Sequence, residues 1–501
     1  MNRLQARVCP LIKTTTTSPF LLQYMSIHIF RMQHEYSFSS IKPSFIPNIS
    51  YSQHSIFNQR KKQSLNVVFV GNSGSGITTL LGYLTFICGG MDWKSIEPMW
   101  FGMGIARDTD QSPYRYLIDS PQDCHTKELH TIRLETKHFI LNCISVPTQR
   151  KYEKLLLRGM FRADVAVIVV NINDAQLVRR EWKFTDQIMA LKSCGVVQSI
   201  VCVNMLDKNP SEDLFTHTAS EILQIMKKQN MNIADTKVIA CSALNGFGIV
   251  ENINTEWNWY KGETLIEALD ALKPHERPVW HPLRMVVEKV RHVKQGQRHE
   301  QLILTGRVIC GVLRVGMKLC FSDKSLYFLN APPPRIVSIQ CFGQECEEAF
   351  PGDFVGILLE THDSNSNNTL LLSHIRRGTV VSDRSAEHQA LQVKSFQAQV
   401  IVVHCPNRIR AGFTPLLHNQ ESRIPCKIDR IIAKLNRYTN ALIESDPKYI
   451  QQYECFSAEF IPQQPIHLQT FTECAPFGRL VFCDQNCMWM AGVVRSVEYF
   501  E

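Results

Sequence analysis

Gly71-Asn72-Ser73-Gly74-Ser75-Gly76-Ile77-Thr78-Thr79 constrains this chain more than any other stretch. It follows a short apolar, β-branched run, Val67-Val68-Phe69-Val70, and leads into a mostly apolar helical segment from Thr79 to Cys88. In the order strand, glycine loop, helix, the glycines permit backbone turns closed to other residues, and successive N–H groups converge on one anion. The helix N-terminus adds partial positive charge. The full phosphate-loop pattern, G-x-x-x-x-G-K-[ST], has a lysine that reaches the β and γ phosphates and a hydroxyl that binds Mg²⁺. Gly71, Gly76 and Thr78 fit it, whereas Ile77 stands at the lysine position. One hydrogen bond to a charged group contributes roughly 1.5–3 kcal/mol, so its loss predicts phosphate binding weaker by about tenfold to a hundredfold. The alternative is a glycine-rich turn that holds no nucleotide.

A chain of 501 residues has room for about three domains. Its 44% hydrophobic and 20% charged composition is that of a soluble globular protein, and no apolar run reaches the ~18 residues that a membrane span needs. The net charge of +8 suits an RNA or other phosphate-rich partner. Seventeen cysteines, with no C-x-x-C pair and no signal peptide, read as thiols of a reducing compartment. Cys483 and Cys487 have no second pair to complete a zinc site. Residues 1–61 hold a single acidic residue, Glu35, together with the run Thr14-Thr15-Thr16-Thr17. They read as a disordered extension or as a mitochondrial targeting segment.

Residues 62–274 alternate strand-like and helical runs, the pattern of a doubly wound α/β domain. Strands are expected at Phe139 to Ile144, Val165 to Ile172, Ser199 to Asn204 and Val238 to Cys241. Helices are expected at Tyr152 to Met160, Val178 to Lys192, Leu214 to Lys228 and Thr264 to Leu272. Ligands of such sheets bind at the carboxyl ends of the strands. Two of those ends read Asn204-Met205-Leu206-Asp207 and Ser242-Ala243-Leu244. They resemble the guanine-binding Asn-Lys-x-Asp and Ser-Ala-x segments of GTPases. That resemblance implies Asp207 as acceptor for the guanine ring N–H and amino group, Asn204 as a brace, and the Ser242–Leu244 turn as donor to the guanine oxygen. Met205 replaces the lysine whose stem covers the base, and its thioether can still pack on a ring.

A third strand end, Ser145-Val146-Pro147-Thr148-Gln149-Arg150, with Ala163-Asp164-Val165-Ala166-Val167 beyond it, resembles the Asp-Ala-Pro-Gly-His-Arg segment of translational GTPases. The match implies that Ser145 stands where an aspartate holds Mg²⁺ through water. It places Thr148 at a glycine that meets the γ-phosphate and Gln149 at the histidine that orients the attacking water. Glutamine can itself orient water, so Gln149 is the candidate catalytic residue. His125-Thr126-Lys127-Glu128 matches Ile-Thr-Ile-Asp of the first switch, which makes Thr126 a Mg²⁺ ligand beside Thr78.

Downstream, Gly306-Arg307-Val308-Ile309-Cys310-Gly311-Val312-Leu313-Arg314-Val315-Gly316-Met317, Ala411-Gly412-Phe413-Thr414-Pro415 and Phe477-Gly478-Arg479 resemble eukaryotic elongation factor 1-alpha. Physically they are short β-branched runs punctuated by glycine and proline, as in small β-barrels. The chain is therefore identified as a member of the translational GTPase family. The resemblance implies an α/β, P-loop GTPase-type doubly wound domain followed by β-barrel domains at 275–383 and 384–501. It also implies GTP or GDP with Mg²⁺ as ligands, and the ribosome and aminoacyl-tRNA as partners, with no DNA or membrane. A cytoplasmic monomer is expected. Ile77, Ser145, Thr148 and Met205 imply weakened nucleotide binding and slow or absent hydrolysis. A nucleotide-independent adaptor on the ribosome is the alternative.

Overall fold

The computed structural model describes residues 30–31, 62–88, 129–147, 152–173, 184–250, 257–273, 277–295, 299–323, 326, 333–360, 375–385, 389–405, 407–484 and 487–500. Thr126, Thr148 and Gln149 lie outside the described residues, as do residues 1–61 apart from Phe30–Arg31.

The first domain runs β1 (Phe30–Arg31), β2 (Gln63–Gly71), α1 (Ile77–Cys88), β3 (His130–Glu135), β4 (Phe139–Ser145), α2 (Glu153–Arg162), β5 (Val165–Asn171), α3 (Phe184–Cys194), β6 (Gln198–Asn204), α4 (Glu212–Lys228), β7 (Lys237–Ala240) and α5 (Leu265–Asp270). Its sheet has the order β1-β3-β4-β2-β5-β6-β7. Strands β4, β2, β5, β6 and β7 are parallel, and β3 lies antiparallel on β4. Strand β2 is central and buried on both faces. Its period-2 alternation sends Leu65, Val67 and Phe69 into the apolar cluster under α1 and α5, and Val68 and Val70 into the cluster under α2, α3 and α4. The order reverses at β2, so α1 and α2 cover opposite faces and a crevice opens beyond the carboxyl end of β2.

The expected parallel strands all form. Antiparallel β3, His130-Thr131-Ile132-Arg133-Leu134-Glu135, is an addition to the expected strands, and its period-2 alternation is that of a strand with one buried face. Helix α4 begins earlier than Leu214, since the Ser211 hydroxyl accepts from the Leu214 N–H and caps it. Helix α5 is fixed by a reciprocal capping box between Thr264 and Glu267.

The second domain comprises β8 (Arg284–Gln295), β9 (His299–Cys310), β10 (Leu313–Arg314), β11 (Leu319–Phe321), β12 (Arg335–Cys341), β13 (Gln344–Cys346), β14 (Glu348–Ala349), β15 (Phe354–Glu360) and β16 (Val380–Asp383). Its sheet order is β11-β16-β8-β9-β15-β12-β13, and a Lys318–Arg335 bridge joins the start of β11 to β12, closing six strands into a barrel with β13 appended. The third domain comprises β17 (Val393–Val402), β18 (Leu416–Asn419), β19 (Ser422–Leu435), β20 (Leu442–Ser445), β21 (Cys455–Pro462), α6 (Ala475–Gly478), β22 (Arg479–Asp484) and β23 (Cys487–Tyr499). Its order β18-β22-β23-β17-β21-β19 is closed by β18 pairing with β19, giving a six-stranded barrel with β20 appended to β19.

The three domains meet at the end of α2. Arg162 is buried, with its guanidinium 2.9 Å from a Glu288 oxygen of the second domain and 2.5 Å from a Glu421 oxygen of the third. Burial by itself would lower the Arg162 pKa, but the two carboxylates outweigh it and hold the pKa above its ordinary value. Two residues on, the Asp164 carboxylate accepts from the Asn66 N–H and side-chain amide, from Arg277 and from Arg307. These contacts fasten the first domain to both barrels.

Candidate functional site

Strand β2 ends at Gly71, where the chain turns through the glycine loop into α1. Gly74 and Gly76 have φ of +85° and +91°, a region in which a side chain would be strained. A Cβ on Gly76 would also meet the Asn204 amide nitrogen at 2.3 Å. Leu80 N–H bonds the Gly76 carbonyl and opens the helix, so the N–H groups before it are those a helix leaves without internal partners.

Within the loop, Ser73 and Gly74 are exposed and Thr78 and Thr79 are half-buried. Asn72 and Ser75 are buried, at 7% and 2% exposure, and the Asn72 Nδ2 and Ser75 Oγ atoms have no hydrogen-bond partner. Buried polar atoms are nearly always paired, and an orphan costs about 1–3 kcal/mol. Two orphans in one glycine loop are what a phosphate-cradling turn leaves when its anion is not counted, so these residues fit a bound phosphate chain.

Ile77 is 6% exposed and belongs to the apolar cluster of Leu80, Leu81, Ala243 and Ile249. It occupies hydrocarbon space beneath the loop and supplies no charge. Thr78, the next residue, fits a Mg²⁺ ligand by its hydroxyl. Ser145, half-buried at the end of neighbouring β4, carries no charge for that ion.

The base-reading segments converge on the same crevice. Asn204, at the end of β6, donates from Nδ2 to the Ser75 carbonyl at 2.8 Å and accepts at Oδ1 from the Ala243 N–H at 2.9 Å. One buried amide thus ties the glycine loop to the Ser242–Leu244 turn. Ser242 Oγ donates to Asp207 Oδ1 at 2.5 Å, which orients the carboxylate, and Asp207 is only half-buried. Gly246 N–H bonds the Ser242 carbonyl and closes the turn, leaving Leu244 exposed at 43%. Met205 has φ of +68°, a strained conformation for a side-chain-bearing residue, and a Cβ on Gly76 would lie 3.5 Å from its methyl group.

The structure therefore brings together Gly71, Asn72, Ser73, Gly74, Ser75, Gly76, Thr78, Thr79, Asn204, Asp207, Ser242, Ala243 and Leu244. Three features were missed in the sequence: the orphaned polar atoms of Asn72 and Ser75, the core-facing direction of Ile77, and the strain at Met205. None of the three had a local signal, since positive φ is commonest at glycine, asparagine and aspartate and a methionine does not announce it.

Comparison with known proteins adds an independent line. Residues 62–275 match the family model of the elongation factor Tu GTP binding domain, and residues 395–495 match the GTP-eEF1A C-terminal domain-like model. Elongation factor 1-alpha of Tetrahymena pyriformis is 29% identical over 448 residues, covering 87% of this chain and 98% of that protein. The Onchocerca volvulus protein of the same name is 28% identical over 466 residues, with 88% and 96% covered. Among solved structures, the GTPase-like domain of Saccharomyces cerevisiae Ski7, bound to GTP, superposes with a TM-score of 0.72 at 15% identity, covering 89% of this chain and all of that one. Elongation factor SelB of Methanococcus maripaludis, in complex with a GTP analogue, gives 0.59 at 16% identity over 88% and 80% of the two chains.

Proposed function

The chain belongs to the translational GTPase family, related to elongation factor 1-alpha, and on that premise we propose that it binds GTP or GDP weakly and hydrolyses GTP slowly or not at all. Its place is in translation elongation or another ribosome-linked step, with the ribosome and aminoacyl-tRNA as partners. The observation that carries this reading is the pair of orphaned, buried polar atoms in the glycine loop, joined through Asn204 to an oriented Asp207.

The loop N–H groups and the α1 N-terminus hold the phosphate chain. Asp207 accepts from the guanine ring N–H and amino group, and the Ser242–Leu244 turn donates to the guanine oxygen. Among the described residues Thr78 would hold Mg²⁺, with Thr126 as the second ligand. The ion supplies charge neutralisation at the phosphates when bound. Gln149 positions the attacking water. Because Ile77 contributes no cation, no side chain of the loop neutralises charge developing on the γ-phosphate, and intrinsic turnover is negligible.

The buried Ile77 side chain also favours a second reading, a nucleotide-independent adaptor that uses the three-domain shape. Titration of the purified chain with a fluorescent GDP analogue, with and without Mg²⁺, separates the two. Saturable binding that tightens by roughly tenfold or more in Ile77→Lys supports the nucleotide reading. Absence of binding in both proteins leaves the adaptor. Phosphate release by the isolated wild-type chain at stimulated-GTPase rates would refute the slow-hydrolysis part.

A further inference from the structure

Twelve of the described cysteines are buried, and three, Cys341, Cys346 and Cys487, are partly exposed. Two of those three sit side by side. Strands β12 and β13 form a tight hairpin in which Cys341 lies opposite Gln344 and Cys346 opposite Ile339, so both cysteines fall on one face as diagonal neighbours. Their sulfurs are 2.9 Å apart. The two turn residues, Phe342 and Gly343, have φ of +53° and +78°, the paired positive values of a two-residue hairpin turn that matches strand twist.

The tip of this hairpin is a peg between domains. Phe342 is 6% exposed and belongs to the first domain's apolar cluster with Val68, Val70, Ile144 and Val146. The Arg133 guanidinium of β3 sits over its ring at 4.9 Å. Arg133 also acts electrostatically on Cys341, so a thiolate formed there faces a cation. Elsewhere burial pushes cysteine thiols up, Cys88 to about 12, which keeps them protonated and unreactive.

We propose that Cys341 and Cys346 form a reversible disulfide that staples the β12–β13 hairpin behind Phe342 and holds the second domain's peg in the first domain. With hydrogen peroxide as oxidant, one thiolate sulfur attacks a peroxide oxygen. The S–O bond forms, the O–O bond breaks and hydroxide leaves, which gives a sulfenic acid. The second thiolate attacks that sulfur; the S–S bond forms, the S–O bond breaks and a second hydroxide leaves. In sum, two thiols give two electrons and two protons to one peroxide, yielding a disulfide and two waters. A thiol reductant reverses the change.

The chain offers a clean test, because no lysine or arginine lies between Arg335 and Arg376 and the tryptic fragment 336–376 contains Cys341 and Cys346 and no other cysteine. The full-length protein is treated with peroxide, alkylated and digested. The fragment is expected about 2 Da lighter and unalkylated, and dithiothreitol restores both alkylation sites. In Cys341→Ser or Cys346→Ser the remaining thiol is not protected by a partner within the fragment. Peroxide is also expected to raise the melting temperature of the wild type by a few degrees, and of neither variant. Two alkylated cysteines after peroxide, a sulfinic acid at either position, a link to another fragment, or an equal melting shift in the variants would overturn the proposal.

Discussion

The glycine loop and the corner around Arg162 and Asp164 are both buried polar regions of the first domain, and they are completed in opposite ways. At the corner almost every charge has an opposite charge or a hydrogen-bond donor from another domain: Arg162 with Glu288 and Glu421, Asp164 with Arg277 and Arg307. The exceptions are Arg307 Nε, which has no partner, and the outer oxygen of Glu421, 3.8 Å from Arg158. In the loop, the buried Asn72 Nδ2 and Ser75 Oγ atoms have no partner. The corner's charges are opposed within the protein, whereas on the proposed reading the loop's unpaired amide and hydroxyl are completed by a bound phosphate chain. A decayed, structureless turn would have lost its positive-φ glycines, and Gly74 and Gly76 keep theirs.

The contrast is open to measurement. Arg162→Met leaves the Glu288 and Glu421 carboxylates buried without a cation, so urea denaturation is expected to show a loss of about 3–5 kcal/mol. A loss under ~1 kcal/mol would mean that the corner does not clamp the domains. Asn204→Ala removes the tie between the Ser75 carbonyl and the Ala243 N–H. It is expected to cost roughly 1–3 kcal/mol of stability and to weaken binding of the GDP analogue by at least about tenfold. Lost stability with unchanged affinity would break the link between loop and base turn.

The smallest effect concerns pH. Burial first, then Arg423 and Arg158, pushes His418 down to about 3. Burial first, then Arg284, against the opposing hydrogen bond to the Leu391 carbonyl, pushes His467 down to about 4. Unfolded histidine titrates near ~6.5, so below that pH the unfolded state takes up protons that the native state refuses. Stability that is full above this range is lost as pH falls toward the native values, by roughly 1–2 kcal/mol per histidine at about pH 5. In His418→Gln the difference in urea midpoint between about pH 7 and pH 5 is expected to shrink, and an unchanged difference would show that His418 titrates normally.

Much of the fold was legible because its signals are local. The β-branched runs, the glycine loop and the amphipathic stretches each act within a few residues, and they placed β2, β5, β6, α1, α4 and α5, although the Ser211 cap that starts α4 before Leu214 emerged only in the structure. The residues of the guanine-type turn were legible for the same reason, each lying just past a strand end. The Arg162 corner was not, since Arg162 and Glu421 are 259 positions apart and an arginine near a helix end looks like any solvated cation. The direction of Ile77 was also hidden: at the first position of α1 an isoleucine can face the loop or the core, and only the packing of Leu80, Ala243 and Ile249 decides.

Asn204 gives the crevice a mechanical property beyond its chemistry. With one end of a single amide on the Ser75 carbonyl and the other on the Ala243 nitrogen, the glycine loop and the Ser242–Leu244 turn hang from one shared anchor. On the proposed nucleotide reading, a change at Asn204 therefore disturbs the contacts to both ends of the ligand together.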